Sequence, residues 1–166
     1  MQIEKNTVRL VPMTEEMYYG FFRDYENDPD LLLPGQTYVP YVYSEEKVRK
    51  YIQKQRDRNR IPLAVLCGDD IAGEIILKDI EPRRCATMSI TLKNAGYKDH
   101  GIGTRAERLA VQYVFDTLDI PTVYADTVRS NARSQHVLEK VGFRPTGEDK
   151  TFRYYRLTRE DFNDLE

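Results

Sequence analysis

A chain of 166 residues, 40% hydrophobic and 31% charged with a formal net charge of −2, has the length of one domain that buries about 70% of its unfolded surface. No apolar run approaches the ~20 residues of a membrane span, and the N-terminus lacks the apolar core of a signal peptide. A pI of about 5.8 argues against a broad nucleic-acid-binding face. The two cysteines, Cys67 and Cys85, have no metal-ligand spacing and read as reduced thiols of a cytoplasmic protein.

Residues 7–12 alternate well enough for a first strand ending at Pro12. Thr14 then caps a helix with Glu15 and Glu16 in its first turn and Met17, Tyr18, Phe21, Phe22 and Tyr25 on one face. Residues 27–43 are irregular, broken by Pro29, Pro34, Gly35 and Pro40. Ser44 opens a second helix that turns Val48, Tyr51 and Ile52 inward and ends in a charged, solvated run from Lys54 to Arg60. Pro62 to Cys67 and Ile71 to Ile80 form a hairpin about Gly68-Asp69-Asp70. After the turn Glu81-Pro82-Arg83-Arg84, the strand Cys85 to Leu92 has Ala86, Met88, Ile90 and Leu92 on one face.

Lys98-Asp99-His100-Gly101-Ile102-Gly103-Thr104 follows, at the start of a long amphipathic helix. Its predicted inward stripe is Ala106, Leu109, Ala110, Tyr113, Val114 and Leu118, with Arg105, Arg108, Gln112 and Asp116 outward. Two glycines bare the backbone N–H groups, and the helix start adds its unpaired amides and positive dipole end, so an anion can seat there. Pro121 to Thr127 is the next strand, which makes a β-helix-β unit and a locally parallel pair. Ser130 and Asn131 cap another helix with Ser134, Val137, Leu138 and Val141 inward and Gly142 at its end. The chain then runs extended, turns at residues 147–150, returns as a strand from Phe152 to Leu157, and closes on a helical turn.

Gly101, Gly103 and Ala106, with Asp126 beyond, also spell a dinucleotide fingerprint. The long gap between Leu92 and Gly101 speaks against it, as does the short remainder after Asp126. A P-loop is excluded because no Gly-Lys-Ser/Thr follows.

A strand, a Gly-x-Gly loop with its helix, a second strand and an Asn-headed helix ending in Gly-Phe together resemble the GNAT acetyltransferase superfamily. Lys98-x-x-Gly101-x-Gly103 is similar to its pyrophosphate loop. Asn131-x-x-Ser134 followed by Glu139-Lys140-Val141-Gly142-Phe143 resembles the branch that includes ribosomal-protein N-terminal acetyltransferases. The resemblance implies a single α/β (α+β) domain over residues 1–166, with a mostly antiparallel sheet of about six to seven strands and about four helices. It also implies acetyl-CoA as donor and an amine as acceptor, either a small molecule or a peptide N-terminus. Neither nucleic acid nor membrane is expected as a partner, and a homodimer through sheet edges is allowed.

By the same resemblance, Ile90, Thr91 and Leu92 pair with the cofactor arm, while Lys98, Asp99, His100, Gly101, Ile102, Gly103 and Thr104 hold the pyrophosphate. Asn131 contacts the arm near the thioester, besides capping its helix. An alkylamine of pKa about 10.4 is neutral in only about one molecule in 2,500 at pH 7, so a base is needed. Relatives carry a glutamate where this chain has Thr87, which leaves Glu74 and Glu148 as candidates. They often carry a proton-donating tyrosine where this chain has Leu138, which leaves Ser134, Tyr154 and Tyr155. The tyrosines point to opposite faces of their strand, so at most one reaches the cleft. Because both positions depart from the common pattern, a catalytically inactive CoA-binding module is the alternative. Substrate selection falls to the irregular segment, with Asp28, Asp30, Tyr38, Tyr41 and Tyr43, of which Asp28, Tyr38 and Tyr41 are the candidate substrate contacts.

Overall fold

The computed structural model describes residues 7–165; residues 1–6 and Glu166 lie outside it. Seven strands form one sheet in the order β1-β2-β3-β4-β5-β7-β6. They are β1 (Val8–Pro12), β2 (Ile61–Cys67), β3 (Asp70–Glu81), β4 (Cys85–Leu92), β5 (Thr122–Val128), β6 (Arg144–Glu148) and β7 (Phe152–Thr158). Neighbours are antiparallel except β4 and β5, which the crossover through a helix makes parallel. The helices are α1 (Glu15–Arg23), α2 (Glu45–Asp57), α3 (Ile102–Asp116), α4 (Ala132–Val141) and α5 (Arg159–Asp164). The closing turn is thus a short helix of its own, a 3-10 turn at Pro29–Leu31 falls within the segment read as irregular, and another forms at Ala95–Tyr97.

Alternation along the central strands divides the interior into two clusters. Ile75 and Leu77 of β3, with Ala86 and Met88 of β4, pack beneath α3, joined by Leu138 of α4 and Phe162 of α5. On the other side Ala64 and Leu66 of β2 meet Tyr18, Phe21 and Phe22 of α1 and Val48 and Ile52 of α2. Full burial of each such side chain contributes about 1.5–3 kcal/mol.

Helix starts follow the capping residues. Thr14 Oγ1 accepts from the Met17 N–H at 3.2 Å, Ser44 Oγ from Lys47 at 3.1 Å, Asn131 Oδ1 from Ser134 at 3.1 Å and Thr158 Oγ1 from Asp161 at 3.2 Å. Among the described residues α3 alone begins without a side-chain cap, on Gly101 in the left-handed region at φ +76°. Gly142 ends α4 at φ +121°, where a Cβ would fall 2.5 Å from Leu165 Cδ1.

The stripe of α3 departs from the expected one. Its buried residues are Ile102, Ala106, Glu107, Ala110, Val111, Val114 and Phe115, while Leu109, Tyr113 and Leu118 lie half-buried at the margin. The helix is rotated so that one carboxylate, Glu107, faces inward.

Candidate active site

β4 and β5 form ladder pairs only at Ala86↔Val123 and Thr87↔Tyr124. Beyond them the strands part, leaving the Ile90–Leu92 end of β4 without a neighbour on that side. A cleft opens between this edge and α4. Gly103 and Glu107 of α3 line it, together with Asn131, Ser134 and Val137 at the head of α4. Strand separation thus exposes backbone N–H and C=O groups that an extended chain with amides can meet.

At one end of the cleft stands the start of α3. Asp99 and Gly101 are both left-handed, at φ +62° and +76°. No side chain occupies the first-turn amides of Ile102, Gly103 and Thr104, which have no intrahelical acceptor. A Cβ added at Gly103 would come 4.0 Å from Val137 Cγ1, so a larger side chain there would grow into the cleft. The Ile102 side chain is fully buried in the core, so this residue offers only its main chain. His100 is exposed and Thr104 half-buried.

The cations at the cleft mouth are already matched. Lys98 Nζ donates to Asp28 Oδ1 at 2.6 Å and lies 3.4 Å from Asp30 Oδ2. Arg133 Nε lies 3.3 Å from Asp99 Oδ1, and its Nη1 3.7 Å from Asp30 Oδ2. The 3-10 turn at residues 29–31, which Asp28 caps by accepting from the Asp30 N–H at 2.9 Å, is thereby drawn over the opening. Asp28 was expected to face an amine; it is held instead by the lysine of the glycine loop. Arg133, Leu31 and Glu107 belong to the cleft but were not among the residues singled out from the sequence.

The opposite face of β3 and β4 carries the acid-aromatic group. Glu74 is the direct cross-strand partner of Thr91, a residue of the cleft wall, and therefore shares its face. Glu74 is 3% exposed, and its Oε1 accepts from the Tyr51 hydroxyl at 2.5 Å. Burial raises its pKa above the usual carboxylate value. Rings gather beside it, with Phe22–Tyr51 centroids 5.0 Å apart, Phe22–Tyr41 5.7 Å and Tyr25–Tyr41 5.1 Å. Tyr41 also lies under the Lys47 ammonium, 5.3 Å from its ring centre. Tyr38 is exposed and, with Tyr25 and Asp28, lines a shallow neighbouring hollow. Thr87 and Ser89 are half-buried on the Glu74 face of the sheet.

The remaining catalytic candidates lie apart from the cleft. Glu148, on the far edge strand β6, pairs with Arg129 at 3.2 Å. Tyr155 is fully buried in the core, its hydroxyl 3.5 Å from Glu139 Oε1, and Tyr154 points outward to donate to Asp149 at 2.6 Å. Strand alternation sends neither tyrosine into the cleft, so Ser134 is the candidate proton donor that the fold brings to it.

A family model described as Acetyltransferase (GNAT) domain matches residues 7–144. Spermidine N(1)-acetyltransferase of Escherichia coli K12 is 29% identical over 114 residues, which span 68% of this chain and 59% of that enzyme. Among solved structures, a spermidine N-acetyltransferase from Vibrio cholerae in complex with CoA and spermine superposes with TM-score 0.78 at 16% identity, covering 95% of this chain and 99% of that one. The aminoglycoside acetyltransferase AAC(6')-Ib in complex with coenzyme A gives TM-score 0.77 at 18% identity, covering 95% and 98%. At these identities the structures attest the fold, and the family follows from the sequence match: with its loop, its parted strands and most of its length accounted for, this chain belongs to the GNAT acetyltransferases.

Proposed function

We propose that the protein is an acetyl-CoA-dependent N-acetyltransferase acting on a small cationic amine, with a polyamine as the leading class. The observation that carries this is the parting of β4 from β5 beside a helix start that, alone among those of the described residues, has no side-chain cap. Acetyl-CoA, when bound, supplies an acyl group activated as a thioester. The amides of residues 102–104 suit its diphosphate, as charge-assisted bonds of about 1.5–3 kcal/mol each. Lys98 and Arg133 stand at the same place, their charges shared with Asp28, Asp30 and Asp99. The free edge at Ile90, Thr91 and Leu92 and the side chain of Asn131 suit its amide-bearing arm.

On the acceptor side, Glu74 removes the ammonium proton, directly or through a water, and Tyr51 orients the carboxyl. The aromatic group of Tyr25, Tyr41 and Tyr51 favours a cation through its ring faces. Ser134 holds a proton at the cleft wall for the departing sulfur. The named substrate of the Escherichia coli relative, spermidine, supports the polyamine class. Asn131-x-x-Ser134 resembles the pattern of the ribosomal branch, for which a peptide N-terminus would be the acceptor. Cys67 and Cys85, both free and half-buried, suit a cytoplasmic setting.

The test is thiol release from acetyl-CoA with spermidine, an alanine-initiated peptide and a free amino acid as acceptors. Turnover with spermidine above the other two is expected. Turnover only with the peptide would transfer the assignment to the ribosomal branch, and tight acetyl-CoA binding with no turnover would make the chain a CoA-binding module.

A further inference from the structure

Glu107 has no part in the chemistry above. It projects from the second turn of α3, one turn beyond Gly103, with 1% of its surface exposed. Its buried Oε2 has no hydrogen-bond partner among the described residues. Every other buried residue of α3 is apolar, and an unsatisfied polar group in such a place costs about 1–3 kcal/mol. What distinguishes the position is the cleft, because Glu107 lines it together with Ile90, Leu92 and Asn131.

The ionisable groups around that cleft are Asp28 and Asp30 from the covering turn, Lys98 from the glycine loop and Arg133 from α4, while its β4 wall contributes none. Both cations are engaged by Asp28, Asp30 and Asp99, so neither is left to stabilise a Glu107 anion. Burial lifts the carboxyl to about 8, which keeps the proton on at neutral pH. A protonated carboxyl offers one O–H donor. The molecule that fills this cleft must then present an acceptor at its depth.

We propose that Glu107 is a cofactor-binding residue whose O–H donates to a carbonyl oxygen of the amide-bearing arm of coenzyme A, an inference resting on the acetyltransferase function proposed above. Glutamine preserves a donor of nearly the same reach, and leucine removes it with little change in volume. Adenosine 3′-phosphate 5′-diphosphate carries the diphosphate but no arm, and so serves as the internal control.

The experiment is titration calorimetry of wild type, Glu107→Gln and Glu107→Leu with acetyl-CoA and with the control nucleotide. Glu107→Leu is expected to weaken acetyl-CoA about tenfold, the loss of one hydrogen bond, and to leave the control unchanged. Glu107→Gln should stay within about threefold of wild type for both. Between about pH 7 and 9 the wild-type ratio of the two affinities should fall as the carboxyl loses its proton, and the ratio for Glu107→Gln should stay level. The ratio cancels titration of the phosphates. If Glu107→Leu does not fold, the two pH series decide by themselves. Equal weakening of both ligands, unchanged acetyl-CoA affinity in Glu107→Leu, or a level wild-type ratio would each overturn the proposal while leaving acetyl-CoA binding intact. Failure of the wild type to bind either ligand would remove the acetyltransferase function itself.

Discussion

Replacing Glu107 by glutamine will flatten the dependence of folding stability on pH. In the folded chain burial raises the pKa of this carboxyl to about 8, against the ordinary 4.5 of a solvated glutamate. Between those values the folded state carries one more proton than the unfolded state. Stability therefore falls as pH rises, by about 1.4 kcal/mol for each unit, and the slope vanishes above the folded value. From about pH 5 to pH 8 the accumulated loss is on the order of 3–4 kcal/mol, a large fraction of the 5–15 kcal/mol by which domains of this size are stable. Glu74, raised by burial as well, acts in the same direction and persists in the variant, so some slope remains. Asp149, held low by Tyr154 and two backbone amides, loses its contribution only in more acid solution, outside this window. Urea unfolding at half-unit steps, fitted with one common m-value, measures the difference. The stability of Glu107→Gln relative to wild type should rise by several kcal/mol from about pH 5 to pH 8. Parallel curves would show that Glu107 is ionised in the folded chain, and the picture of a buried neutral acid would be refuted.

Gly103→Val should leave folding within about 1 kcal/mol of wild type, since a Cβ meets only Val137 at 4.0 Å. Its methyl groups enter the cleft, however, and calorimetry should show acetyl-CoA affinity reduced by a hundredfold or more, on the order of 3 kcal/mol. Lys98→Met strands Asp28, whose side chain is 19% exposed, and should cost about 1.5–3 kcal/mol in urea unfolding. Adding Asp28→Asn should restore part of that stability without restoring nucleotide binding. Asp30→Asn removes a carboxylate that sits 3.4 Å from Lys98 and 3.7 Å from Arg133. Both pairs are partly exposed, so folding should change by about 1 kcal/mol or less. Affinity for the control nucleotide should rise severalfold at low salt and converge with wild type as salt increases.

The fold was legible wherever backbone preference and side-chain period agreed. Thr14, Ser44 and Asn131 each start the helix expected of them, and the β2–β3–β4 meander follows from alternation and turn residues. The glycine loop was legible for a related reason, since it works through main-chain groups that depend on residue type at fixed spacing. Amphipathic periodicity failed on α3 because it sets charged residues outward. The expected stripe ran through Leu109 and Tyr113, whereas the helix buries Glu107, Val111 and Phe115. The site's electrostatics were hidden for another cause. Lys98 meets Asp28 across 70 residues of sequence and Tyr51 meets Glu74 across 23, and no local pattern encodes such pairings. Tyr155 and Glu148 were plausible by residue type alone, and their places in the core and on the edge strand depend on how β6 and β7 join the sheet.

Three departures from local rules meet at one cleft, while other buried polar atoms with no partner among the described residues, such as the Tyr18 and Tyr43 hydroxyls and Arg159 Nε, lie away from it. Among the described residues α1, α2, α4 and α5 begin with a side-chain cap worth about 1 kcal/mol, and α3 does without. On that helix, one turn along, a carboxyl oxygen is buried with no protein partner. Beside it two strands that could continue pairing part after two ladder positions. Each feature alone lowers the stability of the chain as it stands. Together they leave amides, a carboxyl and a strand edge unsatisfied along a single cleft, in the sequence that a long anionic ligand with an amide-bearing tail would satisfy. Departures that share one cleft and suit one ligand mark what that part of the fold is built to receive.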